Sequence, residues 1–245
     1  MNSRTKWWLV TLAAVIGVLA TASLGRWQLS RATQKEALQA SMDTSAAKAL
    51  VNGTDLRRSG DVDALFHQRA LLRGTWVAAR TVYLDNRQMN AKVGFFVMTP
   101  FELEGGGAIV VQRGWVPRNF EQRDQVHKVQ TPGGVVEIEG RIAPPPSKLY
   151  EPGGPAAGAI RQNLDLAQYR LETGLALLPI TLVQTGSATE GLLREWPTVN
   201  LGVEKHYGYA FQWFGLAALI AGLYLWFQVI RRMKFRPKES SRHVQ

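Results

Sequence analysis

Four histidines, no cysteine and scattered carboxylates set narrow limits on the chemistry open to this 245-residue chain. None of the histidines has the close spacing of a zinc site, and without thiolates a structural zinc would need ligands gathered from distant positions. No nucleophile elbow, phosphate-binding loop or dinucleotide fingerprint occurs. His67 and His127 stand in polar surroundings without a partner pattern, and His243 lies in a polar tail. His206 differs. It opens the stretch His206-Tyr207-Gly208-Tyr209-Ala210-Phe211-Gln212-Trp213-Phe214, an apolar run follows to Ile230, and Arg231, Arg232, Lys234, Arg236 and Lys238 close it. An imidazole at the mouth of a membrane span, among aromatic rings, could ligate haem iron through one ring nitrogen, in surroundings apolar enough for the macrocycle. The same residues also describe an ordinary interfacial histidine beside an aromatic belt.

Two apolar segments must position that histidine. The first, Trp7 to Leu24, carries no charge. As a helix it is about 27 Å long, close to the hydrocarbon thickness of a bilayer. Trp7 and Trp8 mark one interface and Trp27 the other. Arg4, Lys6 and the small residues Ala20-Thr21-Ala22 would also suit a cleaved signal peptide. The length of the run and Trp27 favour a retained anchor. The second segment, Tyr209 to Ile230, carries Gln212 and Gln228 but no charge. Both termini are positive, so both are expected in the cytoplasm. The expected order is a cytoplasmic N-terminus at 1–6, a span at 7–24, an external domain at 25–208, a span at 209–230 and a basic cytoplasmic tail at 231–245. Small residues recur at four-residue spacing in both spans: Ala13, Gly17 and Thr21 in one, Ala217/Ala221 and Ala218/Gly222 in the other. Such stripes let helix backbones approach closely, although small residues are common in any span.

Charge supports this layout. Of a formal +10, the tail 231–245 contributes +5 and Arg4 and Lys6 contribute +2. A nucleic-acid-binding protein would instead carry a basic face on its folded domain. No nucleic acid is expected as a partner, and the lipid bilayer is.

Between the spans the hydrophobic period changes. Residues 30–50 read as a helix that continues or abuts the first span, with Ser30 as a possible cap and Asn52-Gly53 as its stop. A short helix at 61–67 and another at 165–173 are expected. Strand patterns cover 69–77, 81–86, 93–102, 109–115, 136–142 and 178–185. Gly105-Gly106-Gly107 marks a turn, and 144–159, rich in Pro and Gly, reads as a surface loop. These signals give an α+β membrane protein: two transmembrane helices flanking an external, mostly antiparallel β barrel or sandwich with a few helices. Arg87 and Arg113 could pair with carboxylates inside that domain or meet haem propionates.

Four motifs then carry a resemblance. They are Leu24-Gly25-Arg26-Trp27-Gln28-Leu29-x-Arg31 with Lys35; Tyr83-Leu84-Asp85-Asn86-Arg87 with Gly94-Phe95 and Thr99-Pro100-Phe101; Val111-x-Arg113-Gly114-Trp115-Val116-Pro117; and Pro197 and Asn200 ahead of His206 to Trp213. In this order, from about residue 9 to 232, the chain resembles the surfeit locus protein 1 family of cytochrome c oxidase assembly factors. The resemblance implies a non-enzymatic assembly factor for a haem-copper cytochrome c oxidase that assists haem a delivery or insertion into the catalytic subunit. It implies His206 as a haem a ligand, with Tyr209, Trp213 and Trp27 as possible haem surroundings. The partners implied are the catalytic subunit and a source of haem a in the membrane. A haem-free membrane scaffold that stabilises an oxidase subunit during assembly fits the same motifs. An N-terminus without a long Arg- and Ser-rich transit peptide points to a bacterial inner membrane, with the main domain periplasmic.

Overall fold

The computed structural model describes residues 2–118, 129–150, 158–196 and 201–230. His127, His243, Pro197, Asn200 and the basic cluster at 231–238 lie outside them. The chain forms two compact units, residues 1–39 with 200–245 and residues 40–199.

The first unit rests on two long helices. Helix α1 (Ser3–Ala46) is unbroken over 44 residues, a length of about 66 Å at 1.5 Å per residue. No proline interrupts it. Ser30, read as a possible cap, lies within the helix: the segment before it supplies continuous helical backbone and leaves no first turn to cap. Helix α4 (Val203–Tyr224) continues into a π-helical turn, Leu225–Ile230. Both helices are long and apolar enough to cross a membrane.

The two pair through a seam of period 3.5. On α1, positions 7, 11, 14, 18, 21, 25, 28, 32, 35 and 39 are buried or half-buried; on α4, so are 203, 206, 210, 213, 217, 220 and 224. Alternating steps of three and four keep one stripe facing a partner helix, the pattern of a coiled coil. Low numbers on α1 meet high numbers on α4, so the pair is antiparallel. Thr11 Oγ1 and Tyr224 Oη are 2.9 Å apart, and a Cβ on Gly17 would lie 3.4 Å from Ile220 Cδ1. A Cβ on Gly25 would strike the Phe214 ring at 2.8 Å. Gly25 is therefore where the helices come closest in side-chain terms, which explains a glycine in mid-helix despite its cost of about 1 kcal/mol relative to alanine. Thr21 is buried on this seam and donates Oγ1 to Gly17 O at 2.7 Å, so its hydroxyl is satisfied within its own helix.

The second unit is a mixed sheet with short helices. Its strands are β1 (Arg69–Trp76), β2 (Val82–Met89), β3 (Lys92–Leu103), β4 (Ala108–Pro117), β5 (Val135–Ala143), β6 (Ile160–Arg161) and β7 (Leu177–Gln184). The order is β1-β5-β7-β4-β3-β2-β6, and β1 pairs again with β3. Most pairings are antiparallel; β4–β7 and β2–β6 are parallel. Alternation carries the sheet. In β1 Ala70, Leu72 and Trp76 point inward while Arg69, Leu71 and Arg73 face out. The inward set joins Phe101, Ile109, Val111, Ile138, Ile142 and Leu182 in the main core. Strand β4 is buried along nearly its whole length, as a strand flanked on both sides requires.

Helix α2 (Gly53–Arg58) corrects the reading of Asn52-Gly53 as a stop. Helix α1 has already ended at Ala46, and Asn52 is extended. Its Oδ1 accepts from Thr54 N at 2.8 Å and Asp55 N at 3.0 Å, while Asp55 Oδ2 accepts from Asn52 N. That reciprocal capping box starts a helix rather than ending one. The expected helix at 61–67 is a single 3-10 turn, Asp63–Leu65. Helix α3 (Leu166–Thr173) is capped by Asp165 and stopped by left-handed Gly174. Within the expected loop 144–159 the described residues are irregular, and the chain after it adds β6 to the edge of β2.

Candidate functional site: a histidine on the helix seam

The motif arginines of the sheet unit are consumed by structure. Arg113 is fully buried and its Nη2 donates to Glu190 Oε2 at 2.7 Å. Nη1 donates to Thr131 Oγ1 at 2.7 Å, and the guanidinium lies 4.5 Å from the Trp76 ring centroid. Glu190 also faces Arg194 at 3.6 Å. Of the two readings given for Arg113, the structure shows the carboxylate pair. Arg87 meets no carboxylate among the described residues: it donates to Ser147 O at 3.0 Å and Gln162 O at 2.8 Å, and its own carbonyl accepts Trp115 Nε1 at 2.9 Å. A register shift in β2 between Leu84 and Arg87, with left-handed Asn86, turns Arg87 inward. Bulges serve this purpose, re-aiming one side chain. Gly94 completes the arrangement, because a Cβ there would collide with Val116 O and the Trp115 ring.

Further side-chain pairs tie this unit together. His67 sits in the left-handed region at φ 69° with Nδ1 3.3 Å from Arg141 Nη1. A guanidinium only donates, so that ring nitrogen accepts; burial and then the Arg141 charge push the His67 pKa below its ordinary value. Arg161 grips Glu172 through both terminal nitrogens, and Tyr169 donates to Arg80 O. Burial lifts the Tyr169 phenol to about 12, so it stays a neutral donor. Among the described residues no three His, Asp or Glu side chains gather as a metal site.

The helix pair holds His206 differently. His206 occupies a seam position, half-buried, and its Nδ1 lies 2.7 Å from Gln28 Oε1 on α1. With the amide oxygen accepting, Nδ1 is the donor, and a neutral imidazole held this way keeps its lone pair on Nε2. No partner is bound to Nε2 among the described residues. Two further contacts clasp the helices beside it: Tyr207 Oη donates to Glu36 Oε1 at 2.8 Å, and Lys35 Nζ donates to Leu201 O at 2.5 Å.

The remaining residues named from sequence fall into two groups. Trp213 follows His206 by seven residues on the same stripe and is half-buried. Tyr209 and Trp27 are each 51% exposed and stand off the seam, Trp27 with the Arg31 guanidinium 5.8 Å from its ring centroid. Trp213 thus shares the stripe of His206 about two turns further on, while Tyr209 and Trp27 lie on outer faces. Gln28, the direct partner of His206, was legible only as a motif letter. Its signal was its phase: three residues after Gly25, it falls on the apolar stripe, where an amide needs a partner.

A single imidazole with one nitrogen committed and the other holding a lone pair fits axial ligation of a haem iron. It does not fit a tetrahedral metal, which needs ligands that the described residues do not gather.

The same chain order emerges from comparison with known proteins. The family model described as SURF1 family matches residues 15–218. A SURF1-like protein of Rickettsia felis is 27% identical over 222 residues, covering 87% of this chain and 94% of the relative. A SURF1-like protein of Rickettsia prowazekii is 28% identical, with 83% of each chain covered. Surfeit locus protein 1 of Arabidopsis thaliana is 28% identical over 135 residues, 51% of this chain and 38% of the plant protein. With the motifs of both units inside one continuous family match, the chain belongs to the SURF1 family.

Proposed function

We propose that the protein is a non-enzymatic assembly factor for a haem-copper cytochrome c oxidase, and that it receives haem a at His206 and passes it to the catalytic subunit. The observation that carries this reading is the His206–Gln28 contact at 2.7 Å, which leaves Nε2 as an available ligand on a half-buried seam. Haem a is cargo here, and its iron supplies an axial position for one imidazole nitrogen. Trp213 on the same stripe, with Tyr209 and Trp27 on neighbouring faces, would offer aromatic surface to an apolar ring.

The two helices anchor the protein in a bacterial inner membrane as an antiparallel hairpin, with both termini cytoplasmic. Arg4, Lys6 and the basic tail support that orientation through the positive-inside rule. The sheet unit is then periplasmic, and His206 lies near the outer interface. Transient capture suits a single protein ligand, because a site with two strong axial ligands would hold the cargo rather than release it.

Deletion of the gene tests the assembly role. The expected result is loss of oxidase activity while extracted membranes still contain haem a, with activity restored by the wild-type gene. A strain that has lost haem a itself would place the protein in haem synthesis instead.

A further inference from the structure

We infer that Gln28 is a positioning residue that sets the tautomer of His206 and so selects Nε2 as its ligand nitrogen. The inference rests on the haem reading for its purpose, but its geometric core concerns the free protein. Gln28 and His206 are both half-buried on facing stripes, from opposite ends of the chain, and Oε1 to Nδ1 is 2.7 Å. Neutral imidazole carries one N–H, and whichever nitrogen donates leaves the other as the lone-pair site. A carbonyl-type oxygen on Nδ1 therefore fixes the ring plane and its ligand edge together. Partners of this kind commonly set the orientation and basicity of metal-bound histidine.

The surroundings make the amide's presence specific. Gly25, three residues earlier on the same stripe, has no room for a Cβ against Phe214. That absence brings α4 close enough for a side chain of glutamine length to reach His206. A glutamine is also a neutral partner. A carboxylate would pull the Nδ1 proton harder and make the bound imidazole a stronger electron donor, whereas the amide orients the ring with less electronic push. A weaker donor suits a ligand that must let go.

The test uses the full-length protein in detergent at one fixed neutral pH. The histidines are 15N-labelled, and His206 is assigned by its loss in His206→Ala. In long-range proton–nitrogen spectra of the haem-free protein, His206 is expected as the Nδ1–H tautomer. Gln28→Leu should move it to mainly Nε2–H, and Gln28→Glu should restore Nδ1–H. With haem a added, Gln28→Leu should bind about 10–100-fold more weakly. Gln28→Glu should recover binding with a lower haem reduction potential than wild type. An Nε2–H tautomer in the wild-type protein, or one unchanged by Gln28→Leu, would overturn the assignment, as would Gln28→Leu with wild-type haem affinity and spectrum. If Gln28→Leu does not fold, an unshifted potential in Gln28→Glu would overturn it alone. A tautomer shift in a protein that binds no haem would overturn the haem reading and uphold control of the ring by Gln28.

Discussion

The sheet unit and the helix pair treat their polar residues in opposite ways. In the sheet unit, Arg87, Arg113 and Arg161 are buried and donate their terminal nitrogens to carboxylates, a hydroxyl and backbone carbonyls of neighbours. In the helix pair, His206 is held by one nitrogen and offers the other. A buried arginine whose terminal nitrogens are tied to its neighbours is a structural brace; a half-held imidazole is a ligand in waiting. The lesson concerns motifs. Arg87, Arg113 and Trp115 stand in family motifs as prominent as the one around His206, yet their contacts give each of them a role in the fold.

The largest expected effect breaks a brace. Glu190→Gln removes the carboxylate that faces both Arg113 and Arg194. Removing one partner of a buried pair costs about 3–5 kcal/mol, which should lower the thermal midpoint by roughly 10 °C. Calorimetry on the purified protein checks it, and an unchanged midpoint would show that Arg113 is not a brace.

Next comes the close approach of the helices. Gly25→Val puts a branched side chain into the Phe214 ring. Overpacking of this kind costs about 1–3 kcal/mol, read as earlier loss of helicity in a titration with a denaturing detergent. Haem affinity should fall with it, since the same displacement separates Gln28 from His206.

A smaller effect follows pH. Arg161 holds the Glu172 carboxyl below its ordinary value of 4.5, chiefly by their hydrogen bond. A carboxyl depressed on folding stabilises fully above 4.5 and loses that contribution as pH falls through its folded value. Because Glu172 is 40% exposed, the contribution is about 1 kcal/mol or less. The midpoint of the wild-type protein should fall below pH 4.5 more steeply than that of Glu172→Gln. The smallest effect is Thr11→Val, which removes the contact to Tyr224; inter-helix hydrogen bonds in membranes average about 0.6 kcal/mol.

How much of this was legible beforehand differs between the two regions. Strands β1, β2, β3, β4, β5 and β7 were readable because a half-buried strand alternates or runs apolar, and Ala70, Leu72 and Trp76 do so plainly. The parallel pairing of β4 with β7 was not, since both strands look the same from either direction and only the chain path through β5 and β6 decides. Asn52 was misread because the same residue types serve helix starts and stops; the Asp55 side chain returning to Asn52 N decides between them. In the helix pair, the apolar spans and His206 stood out from composition. The partner of His206 did not, because Gln28 and His206 are far apart in sequence and only the register of the seam brings them together. Tyr209 was grouped with His206 by proximity along the chain and Trp27 by the expected pairing of the two helices, and helical phase leaves both on exposed faces.

The most direct test of the central claim is the haem spectrum of the protein purified from cells that make haem a. Bound haem a is expected in the wild-type protein and its loss in His206→Ala, with the thermal midpoint of the sheet unit unchanged. Equal haem content and an identical spectrum in His206→Ala would contradict it.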